Sequence, residues 1–387
     1  MRIAYVTTYD ARSPVHWSGT GYSMWNALKG DGVQVDLIGP LDEPLALVWK
    51  GKTWLYRNLL RSNYQRARQP WLQRQFARQI ETRLAGGHYD VVVSPGTIPI
   101  AYLDTPIPVV FWTDATFDGV VPFYKERVRR GRRPAFDNLS PETLRDGHAA
   151  EQAALDRCSI AIFSSEWAAG TALQYYGVDP SKVRVVPFGP NLQREISSAE
   201  VELAVAGRSM DECRLAFVAM EWSRKGGDIA IDVTRELIGR GINATLTVVG
   251  VAPPTGAPPF VQYAGFIDKR KPQELDRYAA ILKDSHFLLL PSWPESAGIV
   301  FAEASAFGVP SCAIRVCGVP TMVRDGLNGQ LFDRDSRPSD WADYIEALMI
   351  DQDAYRSLAR STHAEYSTRL NWRVAGETVR AMLSGLA

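Results

Sequence analysis

Five histidines and four cysteines are all that this chain of 387 residues contains, and neither set clusters. His16, His88, His148, His286 and His363 stand apart from one another, and no His, Cys and acidic residues recur at metal-ligand spacing, so no bound metal is expected. Cys158, Cys213, Cys312 and Cys317 lie among apolar neighbours, which reads as reduced thiols of a cytoplasmic protein and not as a disulfide frame. Net charge is absent as well. With 43 Lys and Arg against 43 Asp and Glu, and no recognised nucleic-acid module, nucleic acid is not expected as a partner. No apolar run approaches the roughly 18 residues of a membrane helix. The opening MRIAYVTTYD reads as a strand, too short and too polar for a signal peptide. A dinucleotide fingerprint is missing too. Gly19 and Gly21 come well after the first strand, and Asn26, Ala27 and Leu28 supply no third glycine, which disfavours a dehydrogenase.

What is present is an ordinary globular composition, 46% hydrophobic and 22% charged, on a chain too long for one typical core. Short apolar runs at 3–7, 33–38, 91–94, 109–112, 160–164 and 183–186 alternate with helical stretches, and 215–220, 245–250, 262–266, 287–290 and 311–314 repeat the pattern. Such alternation predicts an α/β chain of two doubly wound, Rossmann-like parallel sheets. The Pro/Gly-rich joint VVPFGPN places the division near residue 195, giving domains at 1–195 and 196–370 and a last helical segment at 371–387. Ligands of open α/β sheets bind beyond the carboxyl ends of the strands, so two such sheets facing each other would share one cleft.

Residues 287–310, FLLLPSWPESAGIVFAEASAFGVP, carry the densest chemistry. An apolar strand runs into a Pro-broken loop and then into a helix that Gly308 and Pro310 stop. Glu295 falls in the loop and Glu303 inside the helix. The amides around Ala297, Gly298, Ile299 and Val300 are the unpaired donors of a helix start, suited to a phosphate. Carboxylates beside such a cradle suit hydroxyl-rich groups, ribose and sugar. A second strand-loop-helix, AMEWSRKGGD, puts Arg224 and Lys225 at another helix start, where two cations and the amides of Gly226 and Gly227 would counter a diphosphate. In the first half, the WSGTGYSM loop offers Gly19 and Gly21 for close backbone approach, and Asp114 ends a strand in FWTDATFDG. Asp114 reads equally as a turn former.

Glu-x7-Glu in this context, ESAGIVFAE, resembles the signature of retaining glycosyltransferases of the GT-B fold, family 4 in particular. The resemblance implies transfer of a hexose-type sugar from a nucleotide-diphosphate sugar co-substrate, without a metal or other cofactor, to a glycan, glycolipid or small-molecule hydroxyl. It implies Glu295 on the donor sugar, Glu303 on the ribose, Lys225 on the diphosphate, and the Gly19–Gly21 loop reaching towards the donor phosphates and the acceptor. The family's usual Gly-Arg is replaced here by Ala219 and Met220, so that either Arg224 supplies the second charge or the site works with one. Asp114 stands where many relatives touch the hexose or the acceptor. Cys317 stands where glycine is usual, and the last helix is expected to cross back to the first domain. The resemblance also implies retention, with a donor phosphate oxygen taking the acceptor proton. Two other readings stay open: a nucleotide-sugar 2-epimerase on the same architecture, and a sugar-binding protein without catalysis.

Residues 50–83 hold nine basic side chains (Lys50, Lys52, Arg57, Arg61, Arg66, Arg68, Arg74, Arg78, Arg83) against Glu81 alone, interleaved with aromatics. Leu72, Phe76, Ile80 and Leu84 recur every fourth residue, one helix face. A second basic run occupies 125–133. The favoured reading is solvated helices with buried aromatics; the sharper one is a surface for an anionic acceptor or the inner membrane leaflet. FSSEWAAG predicts a helix capped by Ser164 and Ser165 with Glu166 in its first turn.

Overall fold

The computed structural model describes residues 1–125, 138–192 and 194–386, with the backbone alone for 122–125, so the basic run at 125–133 lies outside the described side chains. The chain forms two compact units, Met1–Val186 together with Gly376–Ala387, and Pro187–Ala375. The division therefore falls at the VVPFGPN joint itself and not near residue 195. The return falls inside the helix Trp372–Ser384 and not at its start. Within the first unit, Arg380 on that helix donates to the Lys29 carbonyl oxygen at 2.9 Å.

The first unit has a parallel sheet of β1 (Arg2–Val6), β2 (Gln34–Ile38), β3 (Val91–Ser94), β4 (Val109–Thr113), β5 (Ile160–Phe163) and β6 (Val183–Val185). Their order is β2-β1-β3-β4-β5-β6. Every residue of β3 and β4 is buried, which is why these strands read as unbroken apolar runs: helices cover both faces of a parallel sheet. The helix Pro70–Leu84 buries Leu72, Phe76, Ile80 and Leu84, as the spacing predicts. Proline opens this helix, and the Gln69 side chain accepts from the Leu72 amide at 2.8 Å. At the helix Glu166–Tyr176, Ser165 alone caps, accepting from the Ala168 amide at 3.2 Å. The Ser164 hydroxyl is buried instead and finds no partner among the described residues.

The second unit's sheet comprises β7 (Cys213–Ala219), β8 (Ala244–Gly250), β9 (Val261–Gly265), β10 (Phe287–Leu290), β11 (Ser311–Ile314) and β12 (Gly329–Phe332), again parallel throughout. The order is β12-β11-β10-β7-β8-β9. The edge strand β12 escapes the sequence reading because GQLF is short and half polar. Its pairing with β11, Ser311 opposite Gly329, makes it a strand. Among the described residues no helix is long and apolar enough to cross a membrane.

A buried histidine supports the start of β10. His286 Nδ1 accepts from the Arg214 amide at 3.1 Å, which leaves Nε2 to donate to the Ser209 carbonyl oxygen at 2.9 Å. Burial, then the nearby Arg214 and Arg208, push its pKa down to about 4. The unfolded ring takes a proton near pH 6.5 and the folded ring does not, so stability is lost as pH falls from about 6.5 towards 4. The loss is on the order of 3 kcal/mol. Urea titrations at pH 7 and pH 4.5 should show it, and His286→Gln should flatten that part of the slope. An unchanged slope in the variant would assign the acid loss to carboxylates.

Candidate functional site

In the second sheet the chain runs β7, β8, β9 to one side and then crosses to place β10 on the other side of β7. The loops leaving β7 and β10 therefore diverge from a switch point, where an open parallel sheet leaves a crevice. Here the two loops are also bound together. Gly226 is left-handed, φ +76°, at the start of the helix Gly227–Gly239, and a Cβ on it would lie 2.2 Å from the Pro291 carbonyl oxygen. Only glycine allows both the turn and that approach. Trp293 N–H donates to the Arg224 carbonyl oxygen at 2.8 Å, and Arg224 Nη1 donates to the Pro294 carbonyl oxygen at 3.2 Å.

This junction brings three of the expected residues into one cluster. Lys225 Nζ hydrogen-bonds Glu295 Oε2, and Arg224 Nη1 lies 3.6 Å from the same oxygen. Lys225 and Glu295 are only 9% and 8% exposed, so their charges are poorly screened. Burial alone would raise the Glu295 carboxyl, but Lys225 and then Arg224 outweigh it and hold the group below its ordinary value. Arg224 also meets Glu221 at 3.3 Å, but that carboxylate is 43% exposed and its pairing is weakened by solvent. The buried part of the cluster thus holds two cations around one carboxylate. That excess positive charge lies in the loops that follow β7 and β10, where it would stabilise an anion.

Following Glu295, Gly298 turns left-handed, φ +73°, and opens the helix Ile299–Ala306. Ala297 is buried, and Gly298, Ile299 and Val300 are half-buried. Glu303, 2% exposed, accepts from the Tyr278 hydroxyl at 2.6 Å and from Lys269 Nζ. Burial first, and Glu303 second, push the Tyr278 hydroxyl well above its ordinary range, so it stays protonated and donates. Lys269 Nζ lies 5.2 Å over the Tyr278 ring. Neither Lys269 nor Tyr278 stands out in the sequence. Their only signal is a basic run, DKRK, after the apolar stretch that becomes β9. A carboxylate oxygen has two lone pairs, so Glu303 held by both can still accept from a ligand hydroxyl. Cys317, φ +47°, has the left-handed backbone that glycine would adopt at less cost, and the amide of Gly318 next to it donates to the Glu295 carbonyl oxygen at 3.3 Å.

The other three expected residues belong to the first unit. Gly19 is left-handed, φ +89°, after Trp17 and Ser18, which are left-handed too. Gly21 is buried on the helix Thr20–Ala27, and the Tyr9 phenol fills the space a side chain would take there, its oxygen 2.0 Å from where a Cβ would sit. Tyr5 OH donates to the Gly21 carbonyl oxygen at 3.0 Å. Asp114 directly follows β4, half-buried, at the carboxyl edge of its sheet. Among the described residues no three His, Cys, Asp or Glu side chains are grouped to hold a metal.

Two family models match the chain, one described as Glycosyltransferase Family 4 over residues 22–194 and one as Glycosyl transferases group 1 over residues 212–351. The D-inositol 3-phosphate glycosyltransferase of Corynebacterium diphtheriae is 26% identical, the match covering 67% of this chain and 63% of that protein. The protein of the same name from Nocardia farcinica is 31% identical over 48% of this chain and 44% of its own length. The chain thus spans less than two thirds of either relative. Among solved structures, sucrose-phosphate synthase of Thermosynechococcus elongatus superposes with a TM-score of 0.69 at 17% identity, covering 100% of this chain and 99% of that one. Anabaena HepE in complex with UDP superposes at 0.65 and 18% identity, covering 100% of both chains. The likeness to both is one of fold, GT-B.

Proposed function

The chain belongs to glycosyltransferase family 4, and on that premise we propose that it moves a hexose-type sugar from a nucleotide-diphosphate sugar to a hydroxyl of a glycan, lipid-linked or small-molecule acceptor. The observation that carries this reading is the buried cluster of Lys225, Arg224 and Glu295 at the switch point, beside the start of the helix that bears Glu303. Breaking the bond between the anomeric carbon and the phosphate oxygen leaves negative charge on the diphosphate. Lys225, Arg224 and the amides of Ala297 to Val300 are preorganised to stabilise it. Glu295 and Glu303, both hydrogen-bond acceptors, take hydrogen bonds from the donor sugar and the ribose. The family resemblance supports retention of configuration, the acceptor attacking on the face the diphosphate leaves and passing its proton to a phosphate oxygen. No metal is assigned a role in this mechanism. Asp114 is proposed to touch the sugar or the acceptor, and the Gly19–Gly21 loop to reach towards the donor phosphates and the acceptor. Four free thiols, Cys158, Cys213, Cys312 and Cys317, favour a reducing compartment such as the cytoplasm.

The test is a donor screen by thermal shift across UDP-, GDP-, ADP- and CMP-sugars without metal, followed by product analysis with acceptors that include inositol 3-phosphate. UDP-glucose is the first donor to try, since HepE has been solved in complex with it. One nucleotide class should raise the melting temperature. Glu303→Gln should weaken that binding about ten- to a hundredfold, the loss of one charge-assisted hydrogen bond. If no donor stabilises the folded protein and no sugar product forms, the transferase reading is wrong.

A further inference from the structure

The helix Ala46–Asn58 is inverted relative to an ordinary surface helix. None of its residues is buried. Its inner side is polar and aromatic: Trp49 packs 5.9 Å from the Trp71 ring, while Lys52 and Tyr56 both bind Glu142, at 2.6 and 2.7 Å. Its outer side carries Leu47, Val48, Trp54 and Leu55, continued by Leu59 and Leu60, with exposures of 83, 58, 61, 41, 66 and 59%. A helix that only covers a core shows the reverse distribution.

Charge distinguishes what this face fits. Residues 46–61 contain Lys50, Lys52, Arg57 and Arg61 and no acidic residue. Lys52 is engaged inward, whereas Lys50 and Arg57 are exposed alongside the apolar stripe. The next helix, Pro70–Leu84, belongs to the same basic, aromatic segment but buries its apolar face. Several of the cations around it are engaged within the unit. Arg66 pairs with Glu43 at 3.0 Å, Arg68 faces Glu151 at 3.9 Å, and Arg74 lies 4.7 Å over the Tyr102 ring. The first part of the segment offers the larger apolar surface together with basic groups; on the helix Pro70–Leu84 Trp71 is the one exposed large apolar side chain. A second copy would bring the same cations against each other, which opposes self-association through this face.

We propose that the helix Ala46–Asn58 docks the protein on an anionic lipid bilayer. It lies in the plane of the interface, with Leu47, Trp54, Leu55 and Leu59 at the acyl boundary and Lys50 and Arg57 at the headgroup phosphates. The inference does not depend on the transferase reading, because its test needs neither donor nor acceptor. The full chain is sedimented with vesicles of phosphatidylcholine and with vesicles containing phosphatidylglycerol as well. The protein should partition onto the mixed vesicles and be released by salt. Trp54→Ser combined with Leu55→Ser should reduce partitioning at least tenfold. Lys50→Ser and Arg57→Ser should each reduce it about fivefold. All of these variants should keep the wild-type melting temperature, since the side chains are exposed. Absence of partitioning onto mixed vesicles overturns the proposal, as does partitioning that the apolar and the basic variants alike leave unchanged. A dimer in solution that Trp54→Ser dissociates, without vesicle binding, overturns it in favour of a second copy.

Discussion

Lys225→Ala is expected to lower kcat for sugar transfer by about a hundred- to a thousandfold, the usual cost of removing one preorganised partner of a developing oxyanion. The same substitution should also destabilise the fold, because Glu295 would then be buried with Arg224 as its remaining close cation. The two effects can be separated. Lys225→Met combined with Glu295→Gln removes the uncompensated carboxylate and should recover most of the melting temperature, while its transfer should stay about a hundredfold or more below that of Glu295→Gln alone. If the double variant is as active as Glu295→Gln alone, Lys225 acts through folding and has no part in stabilising the leaving diphosphate.

The largest effect on stability is expected at Arg208, which is 3% exposed and has no carboxylate partner within the hydrogen bonds it makes. Its guanidinium donates to the carbonyl oxygens of Lys283 (3.0 Å), Phe307 (2.8 Å) and Gly308 (2.8 Å) and to Tyr355 OH (3.0 Å). Phe307 and Gly308 end the helix that bears Glu303, so a fixed cation sits at the negative end of its dipole and satisfies carbonyls that have no helical partner. Arg208→Met would leave these carbonyls buried and unpaired, at a cost of about 4 kcal/mol. For a unit of this size that corresponds to a fall in Tm of roughly 10 °C. Arg208→Lys should recover only part of it, since an ammonium cannot span the same fork of acceptors. A urea titration showing a loss below about 1 kcal/mol would mean that water or a rearranged loop satisfies the helix end.

What could be read from the sequence follows the range of the interactions involved. Runs such as Val91–Ser94 and Phe287–Leu290 are visible because burial on both faces of a parallel sheet leaves an unbroken apolar signal. Glu295, Glu303, Arg224 and Lys225 are visible because each follows a strand or opens a helix within a few residues. Lys269 and Tyr278 are not visible, because they reach Glu303 from 34 and 25 residues away and neither sits in a motif. Arg208 meets its acceptors across 75 to 147 residues. The inversion of the helix Ala46–Asn58 is hidden for a different reason. Periodicity shows that a helix has two faces; which one turns inward depends on Glu142 and Trp71, and those belong to other helices.

The strand order of the second sheet also governs when the site can come into being. Lys225 and Glu295 are carried by loops that meet only because β10 lies against β7, although β8 and β9 intervene in the chain. A partly folded species that has zipped β7, β8 and β9 in sequence would hold the basic loop without its carboxylate and without the Pro291 backbone that Gly226 packs against. Closing that long loop is entropically slow compared with the local pairings. The Lys225–Glu295 contact therefore waits on a long-range step in folding its unit, and on the proposed function a bound nucleotide diphosphate would favour the species in which that step is complete.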